Sequence, residues 1–210
     1  MQSTDIPICG AVLAGGKSSR IGRDKALVQL GGVRLIERAV ETLRQVCTEV
    51  VILGSNPALE IYGPLVPDLH PGCGPLGGIE AALAHSRLEW NLLLPVDMPF
   101  VPTALLRSWI ARVTSRPNSR VAYFEVGERP QPGLLLIRRG AQESIRASMA
   151  RGDYKLLPAI HTAAGADGLW LERLDGAEAE GWFANINTPD ALQAAEQRLA
   201  SGLGRPSGAS

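Results

Sequence analysis

Along ICGAVLA, residues 8–14, apolar side chains follow one another without a polar break and stop at the glycine pair Gly15–Gly16. Such a run predicts a strand buried on both faces. The period then changes. VRLIERAVETLRQV sets Leu35, Ile36, Ala39, Val40, Leu43 and Val46 on one stripe, the pattern of an amphipathic helix. EVVILG returns to strand, GGIEAALAHS reads as helix, NLLLPVD as strand and ALLRSWIARV as helix. RVAYFEV and GLLLIRR follow as strands, AQESIRASMA as a helix. The last helix, in NTPDALQAAEQRLA, carries its own start signal: Thr188 to cap, Pro189 for the first helical position, and Asp190 at the positive end of the dipole. This alternation predicts an α/β fold with a mostly parallel central sheet and helices on both faces. The final ten residues, SGLGRPSGAS, read as a flexible, solvated tail over 201–210.

A chain of 210 residues with 45% hydrophobic content can bury one sizeable core, which sets the expectation of one domain over 1–200. Lys plus Arg and Asp plus Glu are equal at 21 each. That balance argues against nucleic acid and against a membrane surface, and makes any anion site a local one. The start, MQSTDIPI, lacks the basic and apolar segments of a secretory signal, and no apolar run is long enough to span a bilayer, so a cytoplasmic protein is expected. Cys9, Cys47 and Cys73 are odd in number and far apart, which reads as reduced thiols, not a disulfide framework or zinc site. His70, His85 and His161 share no metal-ligand spacing. Trp90, Trp109, Trp170 and Trp182 read as core or edge residues.

In open sheets of this kind ligands lie beyond the carboxyl ends of the strands. That rule selects residues 14–25, 67–78 and 95–99. In the first of these, Gly15 and Gly16 let the backbone turn and approach a ligand, and Lys17, Arg20, Arg23 and Lys25 follow at once. Bared amides with Arg20 and Lys25 nearby form an anion cradle, with a phosphate ester as the ligand class; a surface turn with solvated charges is the alternative. The segment is not a P-loop, because Ala11 stands where the first glycine is needed. Nor is it a dinucleotide fingerprint, because GGKSSRIG lacks the glycine spacing and the second strand ends in LGSN without an acidic residue.

Residues 13–25, LAGGKSSRIGRDK, resemble the nucleotidyltransferase signature Leu-Ala-Gly-Gly-x-Ser-x-Arg-Met-Gly-x-Asp-Lys, with Ile21 in the methionine's place. More narrowly they resemble the molybdenum cofactor guanylyltransferase family. The similarity continues in PDLHPGCGPLGGI (67–79), LLPVDMPFV (93–101), ERPQPGLLLI (128–137) and NINTPDAL (185–192), spanning about residues 8–198. The resemblance implies a Rossmann-like nucleotidyltransferase fold, with a nucleotide-binding half over about 1–115 and an acceptor-binding half over about 116–200. It implies transfer of GMP from GTP to the phosphate of molybdopterin with release of pyrophosphate. GTP would be held by Leu13, Ala14, Gly15, Gly16, Lys25, Asp68 and Asp97. Lys25, Asp97 and Arg20 would be catalytic, and Asn185 and Asn187 would face the acceptor.

Asp97 closes an apolar strand, which aims its carboxylate at the cleft. A bare carboxylate there would repel a triphosphate, and Mg2+ removes the conflict by taking the carboxylate together with phosphate oxygens. Asp68 is weaker from sequence alone, because Pro-Asp is also a common turn pair. Departure from the family falls at Leu53, where relatives can carry asparagine; here Ser55 and Asn56 come slightly later. The protein partners implied are other cofactor-biosynthesis and acceptor proteins. Two alternatives stay open: a cytidylyltransferase acting on the same pterin, against which the second glycine of LAGG speaks, and a non-catalytic nucleotide-binding homologue.

Overall fold

The computed structural model describes residues 6–14, 24–70 and 72–202. Its strands are β1 (Ile8–Leu13), β2 (Gln29–Leu30), β3 (Val33–Arg34), β4 (Glu49–Leu53), β5 (Leu65–Val66), β6 (Trp90–Pro95), β7 (Val121–Val126), β8 (Arg129–Arg138) and β9 (Leu169–Leu174). The helices are α1 (Leu35–Arg44), α2 (Pro75–His85), α3 (Thr103–Thr114), α4 (Gln142–Ala150), α5 (Leu156–Ala164), α6 (Ala177–Trp182) and α7 (Pro189–Ala200). Seven strands form one sheet in the order β5-β4-β1-β6-β8-β7-β9, while β2 and β3 make a separate small hairpin.

The mostly parallel sheet expected from the alternation is present. β1 pairs in parallel with β4 and β6, β4 with β5, and β7 with β9; β8 runs antiparallel between β6 and β7. The chain leaves β1 for β4 and β5 on one side, then crosses back through α2 to place β6 on the other. The β1–β6 boundary is therefore the point where strand order reverses, the place at the carboxyl end of the sheet where folds of this kind bind ligands.

Within each apolar run, alternate residues serve different layers. Ile8 and Val12 of β1, with Leu92 and Leu94 of β6, pack under α1 and α3, whereas Cys9, Ala11 and Leu93 pack under α2, α4 and α5. Both layers are dry, which is why these strands carry no polar alternation. Gly10 permits the close approach of α1: a Cβ there would stand 3.0 Å from Cys47 Sγ and 3.2 Å from Leu43 Cβ. Trp109 anchors the α3 side, its ring 4.3 Å from that of Phe124, which in turn lies 5.0 Å from Phe183. Trp90 is buried as well, and Trp170 and Trp182 pack partly buried against the same layer.

Several elements go beyond the sequence expectation. The helix expected from Gly77 starts earlier, at Pro75, and the strand expected from Gly133 starts at Arg129. This earlier start makes β7 and β8 a hairpin whose two-residue turn, Gly127 (φ 51°) and Glu128 (φ 63°), has the positive φ pair suited to the twist of the strands. The register then jumps: Tyr123 faces Leu135, but Phe124 faces Gln131. Pro132, which has no N–H to give, lies inside that bulge. The bulge bends β8 beside the end of β6, where Gly133 lies close enough to Pro95 that a Cβ would meet Pro95 Cγ at 3.0 Å. α5, β9 and α6, and the short pieces β2, β3 and β5, were not anticipated by periodicity.

Candidate active site

β1 and β6 end side by side, and their exits are stitched together: Val96 N donates to Leu13 O at 3.2 Å, and Ala14 N donates to Leu53 O of β4 at 3.3 Å. Leu13 and Ala14 thus stand at this carboxyl end, both half-buried. Gly15, Gly16 and Arg20 lie outside the described residues.

Lys25 opens a 3-10 turn, Lys25–Leu27, whose start is capped by Asp24: Oδ1 accepts from Ala26 N at 3.0 Å. Ala26 is fully buried and pins the turn to the core. From there Lys25 Nζ reaches Asp97 Oδ2 at 2.6 Å, with the two side chains 16% and 17% exposed. It also donates to Asn187 Oδ1. Asp97 is itself tied to the later segment, since Ile186 N donates to its carbonyl at 3.0 Å. Ile186 is buried, while Asn185 and Asn187 on either side of it are exposed. Two side chains, 72 and 162 positions further along the chain, therefore converge on the Lys25 ammonium group. Asn187, expected on the acceptor side of the cleft, also touches the residue expected to hold the triphosphate.

Asp68 occupies a neighbouring place. Its Oδ1 accepts from His70 N at 2.8 Å, the turn role that Pro-Asp alone can signal. The same carboxylate lies against the first turn of α2, where a Cβ on Gly77 would meet Oδ1 at 2.6 Å and Oδ2 at 2.7 Å. A carboxylate at a helix N-terminus is stabilised by the dipole, and glycine at this position is what lets it approach. Gly77→Ala gains helix propensity, but the methyl must displace Asp68. The variant is expected to lose about 1–3 kcal/mol of stability in urea unfolding. In an Asp68→Ala background the same change is expected to cost nothing or to stabilise, and an unchanged cost there would show that the strain lies elsewhere.

Sequence reasoning gave no joint role to two residues in this region, Asp24 and Asn56. Asn56, after β4, caps the 3-10 turn Pro57–Tyr62 through Ala58 N at 3.0 Å, and its Nδ2 donates to Asp24 Oδ2. The Asn-Pro pair is the cap signal that could have placed Asn56 at a turn start, but nothing in sequence links it to Asp24.

Among the described residues no group of three or more His, Cys, Asp and Glu side chains gathers as a metal cage. A single carboxylate at this end of the sheet is the donor set of an ion held chiefly by a ligand's phosphates and water, as Mg2+ commonly is. His161 bonds the Tyr123 hydroxyl at 2.8 Å. The three cysteines are free; burial pushes the Cys9 thiol up to about 12 and raises Cys47 further, so neither is a nucleophile at neutral pH. No helix among the described residues is long and apolar enough to cross a membrane.

Over most of its length the chain is similar to known nucleotidyltransferases. The sequence profile of the MobA-like NTP transferase domain matches residues 10–165. A molybdenum cofactor guanylyltransferase of Serratia proteamaculans is 35% identical over 189 residues, covering 86% of this chain and 90% of its own. Among solved structures, molybdopterin-guanine dinucleotide biosynthesis protein A from Archaeoglobus fulgidus superposes with a TM-score of 0.74 at 25% identity, covering 92% of this chain and 99% of that one. The fold extends to a CMP:2-keto-3-deoxy-manno-octonic acid synthetase complexed with CTP, at TM-score 0.70 and 13% identity, covering 93% of this chain and 98% of that one.

Proposed function

The chain belongs to the MobA-like NTP transferase family, and we propose that it transfers GMP from GTP to the phosphate of molybdopterin, releasing pyrophosphate and forming the guanine dinucleotide cofactor. It is a nucleotidyltransferase; the observation that supports transfer at this site is the convergence of Asp97 and Asn187 on Lys25 just beyond the end of β6, and the choice of GTP and molybdopterin rests on the relatives.

The chemistry follows from the charges. An oxygen of the acceptor phosphate attacks the α-phosphorus of GTP; that P–O bond forms as the bond to the β,γ-diphosphate breaks, and pyrophosphate leaves with the electron pair. The nucleophile is already anionic, so no general base is needed. Catalysis rests on alignment and on neutralising the charge that grows on the leaving group. Lys25 supplies that positive charge, and Leu13 and Ala14 present main chain to the nucleotide, with Gly15, Gly16 and Arg20 as further nucleotide contacts. Asp97 would hold a divalent ion, Mg2+, which when bound neutralises phosphate oxygens. Asp68 lies by the nucleotide. Asn187, bonded to Lys25, joins the two halves of the cleft, and Asn185 extends the acceptor side. A cytoplasmic location fits a protein whose three cysteines are free.

The test mixes the purified protein with Mg2+, molybdopterin and the four nucleoside triphosphates in competition. GTP is expected to be consumed with equimolar pyrophosphate and a guanine-bearing product. Preferential use of CTP would make the protein a cytidylyltransferase, and no pyrophosphate with any nucleotide would leave a binding homologue.

A further inference from the structure

Asp24 and Asn56 come after different strands in the chain, β1 and β4, and stand 32 positions apart. Each caps its own 3-10 turn in the same way, with one side-chain oxygen accepting from the backbone amide two residues on, at 3.0 Å in both cases. Their remaining head groups meet, Asn56 Nδ2 donating to Asp24 Oδ2. The polarity of this pair is determined by chemistry: a carboxylate only accepts, so Asn56 must present its amide nitrogen, and its oxygen must then turn to Ala58.

The turn on Asp24's side carries Lys25. Leu27 N donates to Asp24 O and Val28 N to Lys25 O, each at 3.1 Å, so the backbone of Lys25 sits between two closed hydrogen bonds and the buried Ala26. A lysine ammonium rides on four flexible carbons, so its placement depends on where its Cα is held. The geometry points to Asp24 and Asn56 as a positioning pair for the reaction: Asn56 touches no reacting atom, yet through Asp24 it sets the Cα from which Lys25 reaches Asp97. Asn56 then acts on catalysis through the loop after β4 as a brace, with its amide already engaged by protein. This inference rests on the transferase reading above.

Reciprocal exchange tests it. Asp24→Asn alone sets two amide nitrogens against each other, and Asn56→Asp alone opposes two carboxylates. The double exchange Asp24→Asn/Asn56→Asp restores every bond with the donor moved to the other side. Each single variant is expected to lower kcat by roughly 10- to 100-fold, the scale of a displaced catalytic group, and the exchange to return it to within about threefold of wild type. In a Lys25→Ala background Asn56→Asp is expected to change kcat by less than about twofold, because the effect runs through the missing side chain. Melting temperatures that shift while kcat holds, or a loss that simply multiplies with that of Lys25→Ala, would overturn the inference and leave a structural brace. Titration of the same four proteins with Mg2+ and each nucleoside triphosphate keeps the two claims apart. A wild type that binds a triphosphate but transfers no GMP defeats the guanylyltransferase reading, while the pair is still judged by weaker binding in the single variants and recovery in the exchange. A wild type that neither binds nor transfers defeats both.

Discussion

Asp97→Asn is expected to abolish most transfer, lowering kcat with saturating GTP on the order of 1000-fold, since a metal-held carboxylate at a phosphoryl centre contributes several kcal/mol of charge stabilisation. The substitution keeps the shape of the side chain, and the amide oxygen can still accept from Lys25 Nζ, so the Lys25 contact and the Ile186-to-Asp97 backbone bond are expected to survive. The loss therefore reports charge. The check is a Mg2+ titration of pyrophosphate release: the variant should require far higher Mg2+ for its residual turnover, while its unfolding midpoint stays close to that of wild type. Full turnover at the wild-type Mg2+ requirement would remove Asp97 from the metal's donor set.

Lys25→Ala is expected to lower kcat/KM for GTP by roughly 100- to 1000-fold, the range seen when one donor to a developing anion is removed. Two features of the structure sharpen the expectation. The Lys25 side chain is only 16% exposed, so water cannot readily take its place beside a phosphate. Its partners, Asp97 and Asn187, lie in the later part of the chain, so the same truncation loosens the contact between the first loop and the segment around Ile186. Lys25→Arg should restore little, because a planar fork does not replace a point charge aimed at both a carboxylate and an amide oxygen. Retention of full turnover by Lys25→Ala in a purified assay would refute the triphosphate role.

Much of the fold could be read from local pattern. β1 announces itself as an unbroken apolar run and β6 as one broken only by the buried Asn91, because both faces are covered, and α7 begins where its signals say, with Thr188 Oγ1 accepting from Ala191 N at 3.1 Å. The elements that escaped have local reasons. α5 carries Pro158, which reads as a breaker. It lies in the first turn, where a backbone N–H has no intrahelical partner to lose. β9 is an edge strand whose residues are mostly half-buried, so its hydrophobicity neither runs continuously nor alternates cleanly. The antiparallel course of β8 followed from the tight turn at Gly127–Glu128, where Glu128 has a positive φ that its residue type does not advertise.

Residue types and their order along the chain determined the layered α/β class, the three segments expected at the carboxyl end of the sheet, and the choice of Lys25, Arg20 and Asp97 as the charged groups of interest. Those are consequences of periodicity and strand-end position, which a linear pattern carries. Only the tertiary structure decided that Asn187 and Asp97 meet on one ammonium group, that Gly77 exists for the sake of Asp68, and that Asn56 braces the turn behind Lys25. Such contacts join positions from nine residues apart, as Asp68 and Gly77, to 162 apart, as Lys25 and Asn187, and their geometry is set by how strands are ordered and helices packed, which no local pattern encodes.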